Sequence, residues 1–354
     1  MPWLTVGTIT NSPDFEITVS GTETMLTEAG AARSTLIESG SVVLANSGFS
    51  LGVAKILRIA CCANDGVAAI LDLNGLDARF LCYAINAQTN RLRKVVSRGN
   101  DQPNLNTEII RSIVVPCPPL SEQVAIANSL SDADELIASL DALITKKRDL
   151  KQAAMQQLLT GKARLPGFEG EWKLERLGDC LSSSPKYGIN APAIAYSDQL
   201  PTYIRITDIT ERGRFSRESL VSVSSPFASE YLLEDGDLVF ARTGASVGKS
   251  YLHQAIDGPL VFAGFLIRIR PDRTKLIPAF LSALVTMSRY WNWVRLMSMR
   301  SGQPGINGNE YRELPISLPS IDEQAAIASM LSDMDTELAV IEANREPLGH
   351  ERWP

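Results

Sequence analysis

Residues 118–134 read PPLSEQVAIANSLSDAD, and residues 318–335 read LPSIDEQAAIASMLSDMD. Eight positions return at a constant offset of 201. Glu122, Gln123, Ile126, Ala127, Leu130, Ser131, Asp132 and Asp134 become Glu323, Gln324, Ile327, Ala328, Leu331, Ser332, Asp333 and Asp335. Other stretches repeat too. QPNLN from Gln102 returns as QPGIN from Gln303 at the same offset. IESGSVVLANSGFSLG from Ile37 returns as LEDGDLVFARTGASVG from Leu233, and PWLTVGTIT from Pro2 echoes TYIRITDIT from Thr202. A period near 200 residues marks a duplicated domain, not a solenoid. Each copy is a module followed by a helix.

Between Ser121 and Thr160 there is no glycine or proline. Ser121 is the expected N-cap, with Glu122 near the positive end of the helix dipole. Gly161 and Pro166 stop the helix. Ile126, Leu130, Ala133, Ile137, Leu140 and Ile144 alternate spacings of four and three, the period of a coiled-coil seam. Ile327, Leu331, Met334, Leu338 and Ile341 form the second seam. Two seams in one chain are expected to pack on each other; the alternative is that each is a core helix of its own domain. A helix of this length spans about 60 Å. The modules read as mixed α/β, with short runs such as SIVVP and DLVFA between glycine-rich turns.

At 354 residues, two domains are the default. Hydrophobic content of 45% and charged content of 21% fit an ordinary soluble globular protein. No apolar run reaches the length of a membrane span, because the best candidate, from Ala279, carries Arg289. The start MPWLTVGTIT shows no export signal. Cys61, Cys62, Cys82, Cys117 and Cys180 lack C-x-x-C spacing and read as reduced core residues. His253 and His350, the only histidines, lie in different segments, which argues against a histidine metal centre or triad.

Catalytic motifs fail on inspection. TGASVGKS, residues 243–250, resembles a phosphate-binding loop, but G-x-x-x-x-G-K-[ST] needs glycine at Thr243, and the glycine stands at Gly244. The sister loop has Val53 in place of Lys249. Both copies keep a strand followed by [ST]-G-x-S-x-G, whose paired glycines fit a tight turn. PDRTK, from Pro271, lacks the second acidic residue of a nuclease set. Nothing assembles nucleophile, base and orienter, and no metal or cofactor site is expected.

The stretch from Pro118 to Trp172, with its PLSEQVAIANSL and LLTGK runs, strongly resembles the central conserved region of specificity subunits of Type I restriction–modification enzymes. LEDGDLVFARTGASVGKS and SGQPGINGNEYRELPISLPSIDEQ look like parts of a target recognition domain. The resemblance covers essentially the whole chain. It implies two pseudo-repeated target recognition domains, residues 1–116 and 167–317, separated by two long antiparallel coiled-coil helices, residues 117–166 and 318–354. It implies a non-catalytic, cytoplasmic subunit in which each domain reads half of a bipartite double-stranded DNA target. Its implied partners are modification subunits, which methylate adenine, and ATP-driven restriction subunits. The alternatives are a P-loop-like nucleotide-binding enzyme and a coiled-coil scaffold without DNA contact. Relative to the family the chain looks shortened at both ends. The first module lacks a counterpart of Phe168–Leu200, and Pro347 and Gly349 are expected to stop the second helix after Asn344.

The net charge is −6, unlike that of an isolated DNA reader. The acidity sits in residues 318–354, where eight acidic and two basic residues give −6. The modules are near neutral, which implies weak DNA binding alone and phosphate contacts from partners. Base reading needs Arg, Asn or Gln in loops. The loops supply Asn46 and Ser50; Arg98, Asn100 and Gln102; Lys186, Tyr187 and Asn190; Arg242, Thr243, Ser246 and Lys249; and Arg300 and Gln303.

Overall fold

A computed structural model describes residues 1–13, 16–96, 104–299 and 303–350, with Val95, Val96 and residues 347–350 described for backbone only. The chain divides into two compact units, Met1–Lys146 with Leu338–Pro354, and Lys147–Glu337.

The first unit is built on the apolar run Val42–Ala45. This strand pairs antiparallel with Ala54–Leu57 and with Val67–Ile70, in the registers Val42↔Ile56 and Val42↔Ile70. A second sheet places Pro2–Leu4 antiparallel to Thr24–Met25 and parallel to Cys61–Ala63. The second unit repeats this. Leu238–Ala241 pairs antiparallel with Ser250–Leu252 and Leu266–Ile269, as Leu238↔Leu252 and Leu238↔Ile269. Thr202–Ile204 lies antiparallel to Val221–Ser222 and parallel to Leu260–Phe262. The duplication read in the sequence is therefore a duplication of topology.

Both central strands are buried on two faces, which is why VVLA and LVFA read as continuous apolar runs. Side chains alternate between two cores. Val42 and Leu44 face helix Ala78–Asn86, while Val43 and Ala45 face the second sheet. Leu238 and Phe240 enter a core with Phe280 and Tyr290, while Val239 and Ala241 meet Ile204 and Phe262.

The first long helix runs Leu120–Leu158 and the second Ile321–His350. Ser121 lies inside the first turn and is not the cap; Glu122 and Gln123 N–H groups both donate to the Pro119 carbonyl. Past the helix end, Gly161 turns the chain with a φ of +68°, which only glycine adopts cheaply. Each helix is latched to its own module by one glutamine. Gln123, 1% exposed, accepts from Asp77 N–H at 2.9 Å and donates to the carbonyls of Gly75 at 3.2 Å and Pro118 at 2.8 Å. Gln324, also 1% exposed, accepts from Ile277 N–H at 3.0 Å and donates to those of Lys275 at 3.1 Å and Pro319 at 3.2 Å. Glu323 is fully buried and takes a bidentate Arg164, at 2.5 and 2.6 Å.

In the second unit Lys147 meets Glu337 at 2.6 Å and Lys151 meets Asp335 at 2.5 Å, which sets the two helix segments antiparallel. In the first unit Arg345 forks onto Asp141 at 2.9 and 3.1 Å. Ile327, Leu331 and Leu338 of the second helix are buried, but Ile327 and Leu331 lie in the module core that holds Leu238, Phe280 and Tyr311, together with Leu158 of the first helix, so this part of the helix serves as a core helix of its own module. The first helix does not bury its seam along its whole length. Ile137 and Ile144 are buried, but Ile126 and Leu130 are 37% and 38% exposed. Their place is taken by Ala127 and by Asp134, which accepts from the Tyr83 hydroxyl at 2.7 Å. A satisfied hydrogen bond lets a carboxylate sit in a seam, so polarity hid the true stripe. The expected stop after Asn344 is also corrected, because the backbone stays helical through Pro347 and Gly349 to His350. A proline near a helix end forfeits one N–H bond, to the Ala343 carbonyl, and here the turn survives that loss. Cys117 is exposed, unlike the other four cysteines.

Candidate nucleic-acid interface

In each unit the turn after the central strand meets the segment that leads into a short helix, Thr107–Arg111 or Gly308–Arg312. In the first unit Ser47 bridges Asn104, and Leu105 N–H donates to the Asn46 carbonyl at 2.7 Å. In the second, Thr243 bridges Gly305, and Ile306 N–H donates to the Arg242 carbonyl at 2.9 Å. Four glycines make the turns possible. Gly48 and Gly52 have φ of +73° and +85°, and Gly244 and Gly248 have +76° and +87°. Their backbone would strain any residue with a Cβ. A Cβ on Gly248 would also lie 2.7 Å from Val294.

The second unit brings three of its sequence-selected loops together. The Arg242 guanidinium lies 5.0 Å from the Tyr187 ring centroid, within cation–π range. The Tyr187 hydroxyl is itself held by Gly308 N–H at 3.1 Å. Arg242 Nε is buried without a hydrogen-bond partner. Gln303 is exposed, and its amide nitrogen approaches Gly244 closely enough to meet a Cβ there at 3.1 Å. Asn190 is exposed, one residue past Ile189, which bridges Ala263. Arg242, Thr243, Tyr187 and Gln303 thus form one polar patch on a rigid turn.

Other selected residues hold the frame. Lys186 donates to the Glu230 carbonyl at 2.6 Å and sits 4.3 Å from the Tyr231 ring centroid. Arg268, its cross-strand partner, is 9% exposed; burial holds its pKa below the usual value, against the pull of Asp237. Ser246 is half-buried, and its carbonyl accepts from Lys249 N–H at 3.0 Å. In the first unit Ser50 is 5% exposed and bonded to the Thr10 hydroxyl at 2.6 Å. Asn46 donates to the Asp65 carbonyl at 2.8 Å, and its buried Oδ1 has no partner. Arg98, Asn100, Gln102 and Arg300 lie outside the described residues.

Two exposed aromatic residues lie beside these polar loops. Phe49, 84% exposed, caps the first turn, with Arg93 donating to its carbonyl at 2.9 Å. Phe265, 60% exposed, immediately precedes the strand Leu266–Ile269, and its carbonyl accepts from Arg242 N–H at 3.1 Å. An aromatic side chain inside an otherwise small and polar loop was the available signal. Arg212 and Arg214 were also passed over. They flank Gly213, which packs against the Ser250 carbonyl, beside Lys249.

The loop from Thr243 to Ser250 is not a nucleotide cradle. A phosphate loop hands the chain to a helix whose N-terminus faces the phosphate. Here a short 3-10 turn, Gly244–Ser246, hands it to the strand Ser250–Leu252. Lys249 is held by Glu211 at 2.6 Å. Calorimetric titration with ATP is expected to give no saturable micromolar heat. A saturable signal abolished by Lys249→Ala would restore the nucleotide reading. PDRTK is a turn, in which Asp272 accepts from Thr274 N–H at 3.0 Å and Arg273 pairs with Asp235 at 2.9 Å. Among the described residues no group of His, Cys, Asp or Glu could hold a metal ion, and no helix is long and apolar enough to cross a membrane.

A family model described as the Type I restriction modification DNA specificity domain matches residues 1–146 and 170–347. The specificity subunit of the Type I restriction enzyme MjaVIII of Methanocaldococcus jannaschii is 23% identical over 291 residues, covering 77% of this chain and 67% of that protein. The EcoKI specificity subunit of Escherichia coli strain K12 is 27% identical over 270 residues, covering 68% of this chain and 54% of that one. The matches thus span about half to two thirds of the length of these relatives. The crystal structure of a Type I restriction–modification S subunit from M. genitalium superposes with a TM-score of 0.62 at 17% identity, covering 95% of this chain and 86% of that one.

Proposed function

The chain belongs to the Type I restriction–modification DNA specificity family, and from that premise we propose that it is the non-catalytic DNA-reading subunit of such a system. Residues 1–116 and 167–317 are the reading modules, each for half of a bipartite duplex target. Residues 117–166 and 318–354 are the helical parts. The partners are double-stranded DNA, modification subunits and restriction subunits, and the compartment is the cytoplasm. Methyl transfer and ATP-driven cleavage belong to the partners. The low net charge of the modules fits shared phosphate binding.

One observation carries the reading. Each unit presents the same turn, pinned by the same neighbouring segment, but with different side chains: Asn46 with Phe49 in one, Arg242 with Ala245 in the other. A constant frame with variable tips is what two readers of different half-sites need. A scaffold without DNA contact gives no reason for rigid polar tips. Leu136 and Leu143 on the first long helix, 49% and 40% exposed and one heptad apart, support a protein partner on that face.

Replacing Arg242 with Ala tests it. Arg242, stacked on Tyr187, is poised to fork onto a guanine, and its loss is expected to cost roughly 1–3 kcal/mol at one base position only. Methylome sequencing of a host carrying the chain with its modification subunits reads that position directly. If instead every sequence weakens equally and the salt slope falls by about one, Arg242 is a phosphate contact.

A further inference from the structure

In the second unit the turn at residues 263–265 is clamped from both sides. Ile189 N–H donates to the Phe262 carbonyl and Gly188 N–H to the Leu266 carbonyl, at 3.0 and 3.1 Å. A Cβ on Gly188 would collide with the Ala263 carbonyl, so the two strips of main chain touch. On the other side, the register of Leu238–Ala241 with Leu266–Ile269 ends at Ala241↔Leu266. One step further stand Arg242 and Phe265, still joined by the Arg242 N–H at 3.1 Å. Opposed residues of an antiparallel pair carry their Cβ atoms about 5 Å apart on one face. Phe265 is therefore the cross-strand neighbour of the arginine proposed to read a guanine.

The fold does not need that ring. Leu266, the next residue, is fully buried, while Phe265 is 60% exposed. The first unit builds the same pair of strands, with Ala45↔Val67 where the second has Ala241↔Leu266. The counterpart of Phe265 there is Gly66, whose carbonyl accepts from Asn46 N–H at 3.0 Å. One frame thus carries a phenylalanine in one copy and no side chain in the other. A clamped turn holds the ring out in water beside Arg242, which itself stacks on Tyr187.

We propose that Phe265 reads the C5-methyl group of a thymine, in the base pair next to the one that Arg242 reads. The inference rests on the proposed DNA reading and adds a second specificity-determining residue to it. In the major groove that methyl is an apolar mark among donors and acceptors, and phenylalanine is one of the side chains that contact it. Base pairs stack at about 3.4 Å, so two side chains rooted about 5 Å apart reach neighbouring pairs. The other use of a protruding ring is as a wedge between bases, and wedges enter from the minor groove. Arg242 forks onto guanine from the major groove, and its cross-strand neighbour enters the same groove. With Gly66 at the matching place, the first half-site gains no such contact there.

The full chain, assembled with its modification subunits, is titrated with duplexes carrying its methylated target. Each thymine of the target is replaced in turn by deoxyuridine, which removes only the methyl. One replacement, beside the pair whose identity Arg242→Ala relaxes, is expected to weaken binding roughly fourfold, the value of one buried methyl group. The Phe265→Ala complex is expected to bind that thymine duplex and its deoxyuridine form equally, no better than the parent binds the latter. Its melting temperature should match the parent's, since the ring is exposed. Three results overturn the inference and leave the reading by Arg242 intact: no thymine at that place, a parent complex indifferent to every replacement, or a Phe265→Ala complex that keeps the fourfold difference. If the Phe265→Ala complex weakens on every duplex alike and keeps that difference, the ring is a wedge. A complex that prefers no sequence overturns the proposed function, and this inference with it.

Discussion

Gln324→Leu is expected to lower the stability of the second unit by roughly 3–5 kcal/mol. Leucine is close to isosteric, so packing is nearly kept. What goes is three hydrogen bonds, and three main-chain groups lose their partner: the Ile277 N–H and the carbonyls of Lys275 and Pro319. Each buried group left unsatisfied costs about 1–3 kcal/mol, offset in part by the added apolar surface. For a unit of this size the melting temperature should fall by roughly 10 °C. Gln123→Leu should act alike in the first unit, on Asp77, Gly75 and Pro118. By contrast, removing Lys147, whose partner Glu337 is 57% exposed, should cost less than about 1 kcal/mol. The buried glutamines fix where each helix leaves its module; the exposed ion pairs only tune it. If Gln324→Leu melts with the parent chain, the latch carries no such energy.

The same two residues mark what the sequence made legible. Gln123 and Gln324 stood out as part of a repeated signature, but two of the three bonds of each run to main chain about fifty residues away, which no local pattern reveals. The duplicated strands were legible because a strand covered on both faces needs a continuous apolar run, and VVLA and LVFA have it. The glycine turns were legible because positive φ has few other solutions. The first helix's seam was misread because Asp134, a charged residue, completes the stripe through a bond to Tyr83. Three of the loop candidates were legible as polar and not as oriented. Lys186 and Lys249 turn to Glu230 and Glu211, and Ser50 turns inward to Thr10. The aromatic tips Phe49 and Phe265 carry no hydrogen-bonding side chain, so base-reading chemistry in the sequence does not single them out.

If the two long helices separate the reading modules and thereby set the distance between half-sites, that distance should follow their length. Adding one heptad after Ile144 and another after Ile341 keeps each existing ion pair on its own side of the insertion. Asp141 still faces Arg345, and Lys147 still faces Glu337. Seven residues return an apolar seam to nearly the same face, with a drift of about 20°. They lengthen a helix by about 10 Å, close to three base-pair steps at roughly 3.4 Å each. The methylated target is therefore expected to keep both half-sites and gain about three base pairs of spacer. Three steps also rotate the duplex by roughly a quarter turn, so binding should weaken while the new spacing is preferred. Insertion into the first helix alone is expected to fail differently, since it puts Lys147 and Glu337 out of register and lowers the melting temperature with no new target. Methylome sequencing separates the cases. A changed half-site at constant spacing would mean that the helices do not measure the target, and that the modules alone choose where on the duplex they stand.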